Sequence, residues 1–175
     1  MAIISSLEKE DVEADVSEIA QEVYEKFEKE SGGVPEWVKV MAHRPEILKE
    51  FTELFKIIMG PGKIDSYLKW KIAYTVSDAL RCPFCLDVTK KMLVKFGADE
   101  IMIENIKEKK DIPEQEKEIL SLVKDVTDNA NVDNPEVFEK LKDKMTEPQI
   151  VEVVSVIGLF NYINRFNNTF AILPE

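Results

Sequence analysis

Cys82 and Cys85 are the only cysteines of the chain, and only Pro83 and Phe84 separate them. They open an apolar-periodic segment that runs to Phe96 and stops at Gly97. The pair therefore falls at a helix start, where unpaired backbone N–H groups and the positive end of the helix dipole favour a thiolate. The thiolate is the nucleophile, so a lowered pKa makes a thiol reactive at neutral pH. The spacing also lets the two sulfurs close into a disulfide, one attacking and the other resolving.

Two other uses of the pair compete with this one. A structural zinc site usually needs four ligands, and this chain has no second cysteine pair. Its one histidine, His43, has no motif spacing to the cysteines. That disfavours an intramolecular zinc site and leaves open a metal bridging two subunits. The remaining alternative is two core cysteines packed as small hydrophobes. At a helix start, with Pro-Phe between them, redox use is the better expectation.

A chain of 175 residues fits one ordinary domain, and 45% hydrophobic residues are enough for a core. The net charge of -11 argues against a nucleic-acid partner and against an anionic membrane surface. No apolar run approaches a membrane span, and Met1 to Ser6 does not read as a signal peptide. The expected location is cytoplasmic, where a lone C-x-x-C stays reduced or cycles.

The elements that must position the pair are all helical, because almost every segment has a 3.6-residue period. A first helix is expected from about Asp15 to Glu30, with Val16, Ile19, Ala20, Val23, Tyr24 and Phe27 as its stripe and Gly32-Gly33 as its stop. Pro35 to Met41 reads as a short turn or helix. Pro45 opens the next helix, through Ile58, and Gly60-Pro61-Gly62 ends it. Asp65 or Ser66 caps a helix to about Ala79 whose apolar residues wrap most of the circumference, the mark of a buried central element. After the cysteine helix, Asp99 caps a helix through Ile106, Pro113 starts another, Asn129 to Asn134 is a connector, and Pro135 opens the next. The last helix starts with a capping box, Thr146-Glu147-Pro148-Gln149, and runs to about Asn167. Its continuous apolar surface reads as core on one side and subunit contact on the other.

Several of these stretches carry a resemblance. They are Val34-Pro35, Met41-Ala42-His43-Arg44-Pro45-Glu46-Ile47-Leu48, Cys82-Pro83-Phe84-Cys85 with Gly97-Ala98 beyond it, and Gln149-Ile150-Val151-Glu152 leading into Leu159-Phe160-Asn161-Tyr162-Ile163-Asn164-Arg165. Together they resemble the alkyl hydroperoxidase D and carboxymuconolactone decarboxylase-like family, in its peroxidase-related branch. The resemblance implies a single all-α, AhpD-like domain over 1–175, with an N-terminal helix in 1–33 and a family-like core in 34–168, built around a central C-x-x-C helix pair. It implies a homo-oligomer (dimer, trimer or hexamer) and reduction of a hydroperoxide or disulfide substrate, with an external dithiol as reductant. It also implies that Cys85 attacks the peroxide and Cys82 resolves. The helix-dipole argument favours Cys82 as the more acidic thiol, so the order stays open.

The family's proton relay is missing. Its glutamate position, twelve residues before the first cysteine, holds Trp70, and its histidine position, four after the second, holds Thr89. Thr89 could hydrogen-bond a thiolate but could not take its proton, and Trp70 offers a ring and one donor. Arg81 is the nearest fixed positive charge and could lower the Cys82 pKa. Asp78 and Asp87 read as solvated helix faces, and His43 as a cap or turn-packing residue.

The expectation is a thiol-dependent antioxidant oxidoreductase acting through a redox-active Cys82–Cys85 disulfide, with no haem, flavin or metal cofactor. Without its relay it should be slow and gain activity as the pH passes about 8, following an ordinary thiol. The rivals are disulfide exchange without efficient peroxidase activity, and a non-catalytic helical oligomer with a vestigial or redox-sensing pair. Lactone decarboxylation is the weakest, since it would need a general acid–base pocket.

Overall fold

The computed structural model describes residues 2–14, 18–130 and 135–174. Among these residues there are ten helices and no strand: α1 (Lys9–Ala14), α2 (Glu18–Ser31), α3 (Glu36–Met41), α4 (Pro45–Met59), α5 (Ser66–Ala79), α6 (Pro83–Lys95), α7 (Glu100–Glu108), α8 (Glu114–Asn129), α9 (Pro135–Lys142) and α10 (Glu147–Thr169). None is long and apolar enough to cross a membrane. The expected first helix appears as α2, while Asp15 and Val16 lie outside the described residues. Helix α1 has no expected counterpart, because its six residues, KEDVEA, hold one large apolar side chain and show no period.

Helix α5 is the axis. It packs against α6, α8 and α10, and its buried residues face every side. Asp65 caps it, the carboxylate accepting from the Leu68 N–H at 2.9 Å. Its C-terminus closes as a Schellman motif: Cys82 N–H donates to Ser77 O at 3.2 Å and Arg81 N–H to Asp78 O at 3.1 Å. The left-handed position usually taken by glycine there is Arg81, at φ 51°. This tight reversal delivers Cys82 directly to the start of α6. Helix α6 closes the same way, with Gly97 at φ 90° and Ala98 N–H donating to Leu93 O.

Helix α10 lies along α5 and α4. Gln149 reaches back to accept from the Thr146 N–H at 2.9 Å, the reciprocal arm of a capping box. At its far end Asn168 donates from Nδ2 to Leu80 O at 2.9 Å, which ties the C-termini of α5 and α10 together beside the cysteines.

The periodicity of α5 hides two buried lysines. Lys71 pairs with Glu116 of α8 at 2.6 Å and covers the Tyr67 ring. Lys69 is fully buried; its ammonium donates to Ile58 O at 2.8 Å, to Gly60 O at 2.6 Å and to the Glu152 carboxylate of α10. Glu152 also accepts from the Lys63 and Ile64 N–H groups. Gly62 is needed for this approach, because a Cβ there would lie 1.8 Å from Glu152 Oε1.

Removing one partner of a buried pair strands the other charge. Glu152→Ala should therefore cost roughly 3–5 kcal/mol of unfolding free energy, measured by urea titration. Burial raises the Glu152 pKa, but hydrogen bonds from Lys69 and from the Lys63 and Ile64 N–H groups outweigh it and hold the carboxyl below its ordinary value. Its contribution is then full above an unfolded value of about 4.3 and lost as the pH falls through the lower folded value. The stability gap between wild type and Glu152→Gln should narrow below about pH 4. A gap independent of pH would mean that the carboxylate charge is not what stabilises the junction.

Candidate functional site

Cys82 occupies the N-cap of α6, and its sulfur accepts from the Cys85 N–H at 3.4 Å. Both thiols are free and buried, but differently. Cys82 is sealed, with 0% exposure; Cys85 keeps 4% and lines a cavity of about 480 Å³ that Cys82 does not reach. Cys85 is thus the sulfur that a small molecule in the cavity can meet.

The two sulfurs are shifted in opposite directions. The Cys85 S–H donates to Cys82, and this does most to lower the Cys82 pKa. Burial opposes it, while the Cys85 and Phe84 N–H groups add to it, as a helix N-terminus should. Cys85 is pushed strongly upward by holding its proton against Cys82 and by burial. The helix-dipole reading of Cys82 as the acidic thiol thus agrees with the geometry. The two thiols titrate as a coupled pair, with Cys82 the sulfur that gives up its proton first.

A third residue completes the line. Asn167, fully buried on α10, donates from Nδ2 to Cys85 Sγ at 3.3 Å. Its Oδ1 is buried and has no hydrogen-bond partner, a condition that costs about 1–3 kcal/mol. The chain of donors runs Asn167 to Cys85 to Cys82. Sequence reasoning missed Asn167. The available signal was polar Asn164 and Asn167, three residues apart, on a helix whose other buried side chains are apolar.

The supporting candidates divide. Trp70 lines the cavity, edge-on to Phe160 with centroids 6.0 Å apart. Thr89 is fully buried one turn after Cys85, but its hydroxyl donates to Cys85 O at 2.7 Å and approaches Leu86 O at 3.2 Å, satisfying backbone instead of a sulfur. Arg81 is exposed and lines a separate polar groove with Asp78, Lys107, Lys109 and Lys124. The groups that lower Cys82 are the neighbouring thiol and N–H donors, so the positive charge of Arg81 is not the cause of its acidity. His43 lies outside the cavity and donates from Nε2 to Ser5 O at 2.8 Å, pinning the N-terminal segment. Asp87 pairs with Lys91 on the outer face of α6.

The cavity walls are aromatic. Phe27, Trp37, Phe51 and Phe55 come from α2, α3 and α4, and Trp70, Phe84 and Phe160 from α5, α6 and α10. Successive rings touch edge-on or tilted, Phe27 on Trp37 at 5.7 Å and Trp37 on Phe51 at 5.6 Å, so the walls are held by one another. Lys26, Glu30, Ser31 and Lys56 form the mouth. Among the described residues no three metal-ligating side chains converge.

No protein-family model matches the chain, and no curated protein matches it by sequence. Solved structures do. An uncharacterized peroxidase-related protein of the alkylhydroperoxidase AhpD core from Ralstonia eutropha JMP134 superposes with a TM-score of 0.85 at 20% identity, over 99% of this chain and 92% of that one. A peroxidase-related protein from Silicibacter sp. TM1040 gives 0.79 at 22% identity, over 89% and 84%. The debrominase Bmp8 gives 0.83 at 22% identity, over 99% and 92%, and a cysteine-to-alanine variant of it is known in complex with 2,3,4-tribromopyrrole. The chain has the all-α, AhpD-like fold.

If the Cys85 thiol is the main acidifier of Cys82, removing it should be visible. Thiolate ultraviolet absorbance against pH should show an inflection below that of an ordinary thiol, about 8.5, in the reduced wild type. In Cys85→Ala the inflection should move upward. An unshifted inflection would leave the helix terminus alone responsible.

Proposed function

We propose that the protein is a thiol-dependent two-electron reductase whose oxidant is a hydroperoxide, with Cys85 as the attacking sulfur and Cys82 as its base and resolving partner. The observation that carries this reading is the division between the sulfurs: Cys85 meets the cavity and is the weaker acid, while Cys82 is sealed and is the stronger acid.

The steps follow from that division. The Cys85 proton passes to Cys82 as the Cys85 sulfur attacks the terminal peroxide oxygen. The O–O bond breaks, and the departing alkoxide takes the proton back from Cys82 and leaves as an alcohol. Cys85 is now a sulfenic acid beside a Cys82 thiolate. The thiolate attacks the Cys85 sulfur, hydroxide leaves, and the disulfide closes. An external dithiol restores the pair. The proton cycles within the pair, so no glutamate or histidine is required, and the thiolate forms below the ordinary thiol range. On this reading activity should already be high below pH 8, in place of the late rise expected from an isolated thiol.

The open cavity at Cys85 supports this reading over a vestigial pair. A second reading is reductive dehalogenation, supported by the debrominase with the same fold and by aromatic walls suited to a flat ring. Bromide release from tribromopyrrole, compared with peroxide consumption, separates the two.

The outer faces support a symmetric homo-oligomer. Ile47, Leu54 and Ile57 form an exposed apolar stripe on α4, and Val151, Val154 and Tyr162 one on the adjoining α10. Gly158 lies in the α10 stripe with open space where a Cβ would stand, although glycine inside a helix is disfavoured by about 1 kcal/mol against alanine. A second copy approaching closely would account for both.

Two measurements check these points. Mild peroxide should remove two hydrogens from the intact mass of wild type, reversibly with dithiothreitol. Cys82→Ser, which lacks the base as well as the resolving sulfur, should accumulate a trappable sulfenic acid on Cys85 only slowly and stop there, and Cys85→Ser should do neither. A trapped sulfenic acid on Cys82 instead would reverse the roles. Light scattering should show at least a dimer at micromolar concentration, and Val151→Glu with Leu54→Glu should weaken it; a monomeric wild type would remove the oligomer.

A further inference from the structure

The proposed reaction gives no part to Asn167, yet its Nδ2 donates to Cys85 Sγ at 3.3 Å and both residues are buried. Among the described residues no other N–H group donates to that sulfur; the Phe84 and Cys85 N–H groups at the start of α6 act on Cys82. The Cys85 S–H points at Cys82, so the side of the sulfur turned to α10 is an acceptor, which an amide nitrogen suits and an amide oxygen would repel. Held this way, Asn167 leaves its Oδ1 buried and unpaired, a state that native interiors rarely tolerate without a function. The backbone keeps the amide in place. Helix α10 ends in a Schellman closure, with Ile172 N–H donating to Asn167 O at 2.9 Å and Ala171 at φ 54°.

What this donor does depends on the state of the sulfur. Once the Cys85 proton has passed to Cys82 the acceptor is a thiolate, and a bond to a charged acceptor is roughly twice as strong as one between neutral groups. Burial enlarges the difference, because the local dielectric is low. A group that binds the charged sulfur better than the neutral one lowers the barrier to attack. The other influences on Cys85 oppose its ionisation. Its hydrogen bond to Cys82, burial and the charge of Cys82 raise its pKa, and the Asn167 N–H lowers it. Charged side chains of the surrounding helices are engaged or distant: Lys26, Glu30 and Lys56 stand at the cavity mouth, Asp87 pairs with Lys91, Lys69 with Glu152, and Arg165 bonds Asn161.

We infer that Asn167 is the group that stabilises negative charge on the Cys85 sulfur as its proton leaves, and that it thereby sets how readily that sulfur attacks. The effect on the thiolate rests on the contact itself; its use in catalysis rests on the reductase reading. In that reaction the hydrogen bond tightens as the proton moves to Cys82. It slackens when the sulfur becomes a sulfenic acid, because the electron pair that carried the charge then forms the new S–O bond. Asn167 gives up no proton and gains none.

Thiolate formation on Cys85 is read by itself in Cys82→Ala, where Cys85 is the only cysteine. The rate of alkylation by iodoacetamide against pH gives its inflection with no peroxide present. Adding Asn167→Leu, or Asn167→Ala if the first fails a thermal-melt check, should move the inflection upward by about one pH unit, the equivalent of one hydrogen bond to a charged acceptor. Asn164→Leu is the control. Asn164 is equally buried one turn earlier, but its Nδ2 donates to Phe160 O at 2.7 Å. Its replacement should lower the melting temperature and leave the inflection where it was. An unchanged inflection in the Asn167 variants, or an equal shift from Asn164→Leu, overturns the role of Asn167. Peroxide is read separately, in chains that keep both cysteines. There Asn167→Leu should slow oxidation of the pair by cumene hydroperoxide about tenfold. A shifted inflection, with a wild type that forms no disulfide in peroxide, fails the reductase reading and leaves the thiolate contact standing. Peroxide reduction by wild type with an unshifted inflection does the reverse.

Discussion

A lysine with no access to solvent sets the dimensions of the molecule. Lys69 has three ammonium hydrogens, and all three find acceptors: two carbonyls at the end of α4 and the Glu152 carboxylate of α10. A buried cation survives only when paired and fully hydrogen-bonded, so this junction admits little slack. Glu152 in turn collects two N–H groups from the segment between α4 and α5. Three helices and a turn are thereby held at fixed spacing. The next residue, Trp70, and the neighbouring turns of α4 and α10 form the cavity walls. The junction thereby fixes the spacing of α4, α5 and α10, all of which contribute to the cavity wall.

At the opposite end of α5 a second constraint places the sulfurs. The Schellman closure at Arg81 leaves no loop between α5 and α6, so Cys82 becomes an N-cap as the chain reverses. The neighbouring Cys85 thiol does most to make the sealed sulfur the acidic one, and the free N–H groups of the first turn, which point at an N-cap, add to it. The i to i+3 spacing then brings Cys85 round to the same side of the helix, where its S–H reaches the Cys82 sulfur and its flank reaches the cavity. Access and charge are separated by a single turn of helix. Asn168, bonded to Leu80 O, holds the end of α10 against this corner, and so places Asn167 on Cys85.

Most of the fold was legible because its signals are local. Proline at the first position of α4, glycine after α4 and α6, and Asp65 and Asp99 as caps act within one turn, and the boundaries of α5 fall where they indicate. The apolar wrap of α5 announced its central place. What was not legible depends on partners distant in sequence. Lys69 and Lys71 read as surface residues until Glu152 and Glu116, on other helices, supply their counter-charges. Arg81 read as a charge near a thiol, while its backbone angle is what matters. Thr89 read as a donor to a thiolate, but a buried threonine in a helix finds the carbonyl one turn back first. Asn167 lies 82 residues from Cys85, and no periodicity connects them.

Trp70 and Thr89 both keep titratable groups away from the cysteines. A carboxylate in place of Trp70 would stand in a wall of rings, facing Phe160, and would need a buried partner or lose its charge. An imidazole in place of Thr89 would enter a fully buried position whose only polar contacts are backbone carbonyls already satisfied by the hydroxyl. Both changes would bring a titratable group into a space that otherwise suits apolar molecules. The chain instead places two sulfurs together, and the hydrogen bond between them lowers one pKa and raises the other without a carboxylate or imidazole in the wall. The Asn167 amide, which does reach Cys85, never titrates. Its nitrogen is fixed on Cys85, so the contact that α10 makes with the sulfur pair comes from a donor whose charge does not change with pH.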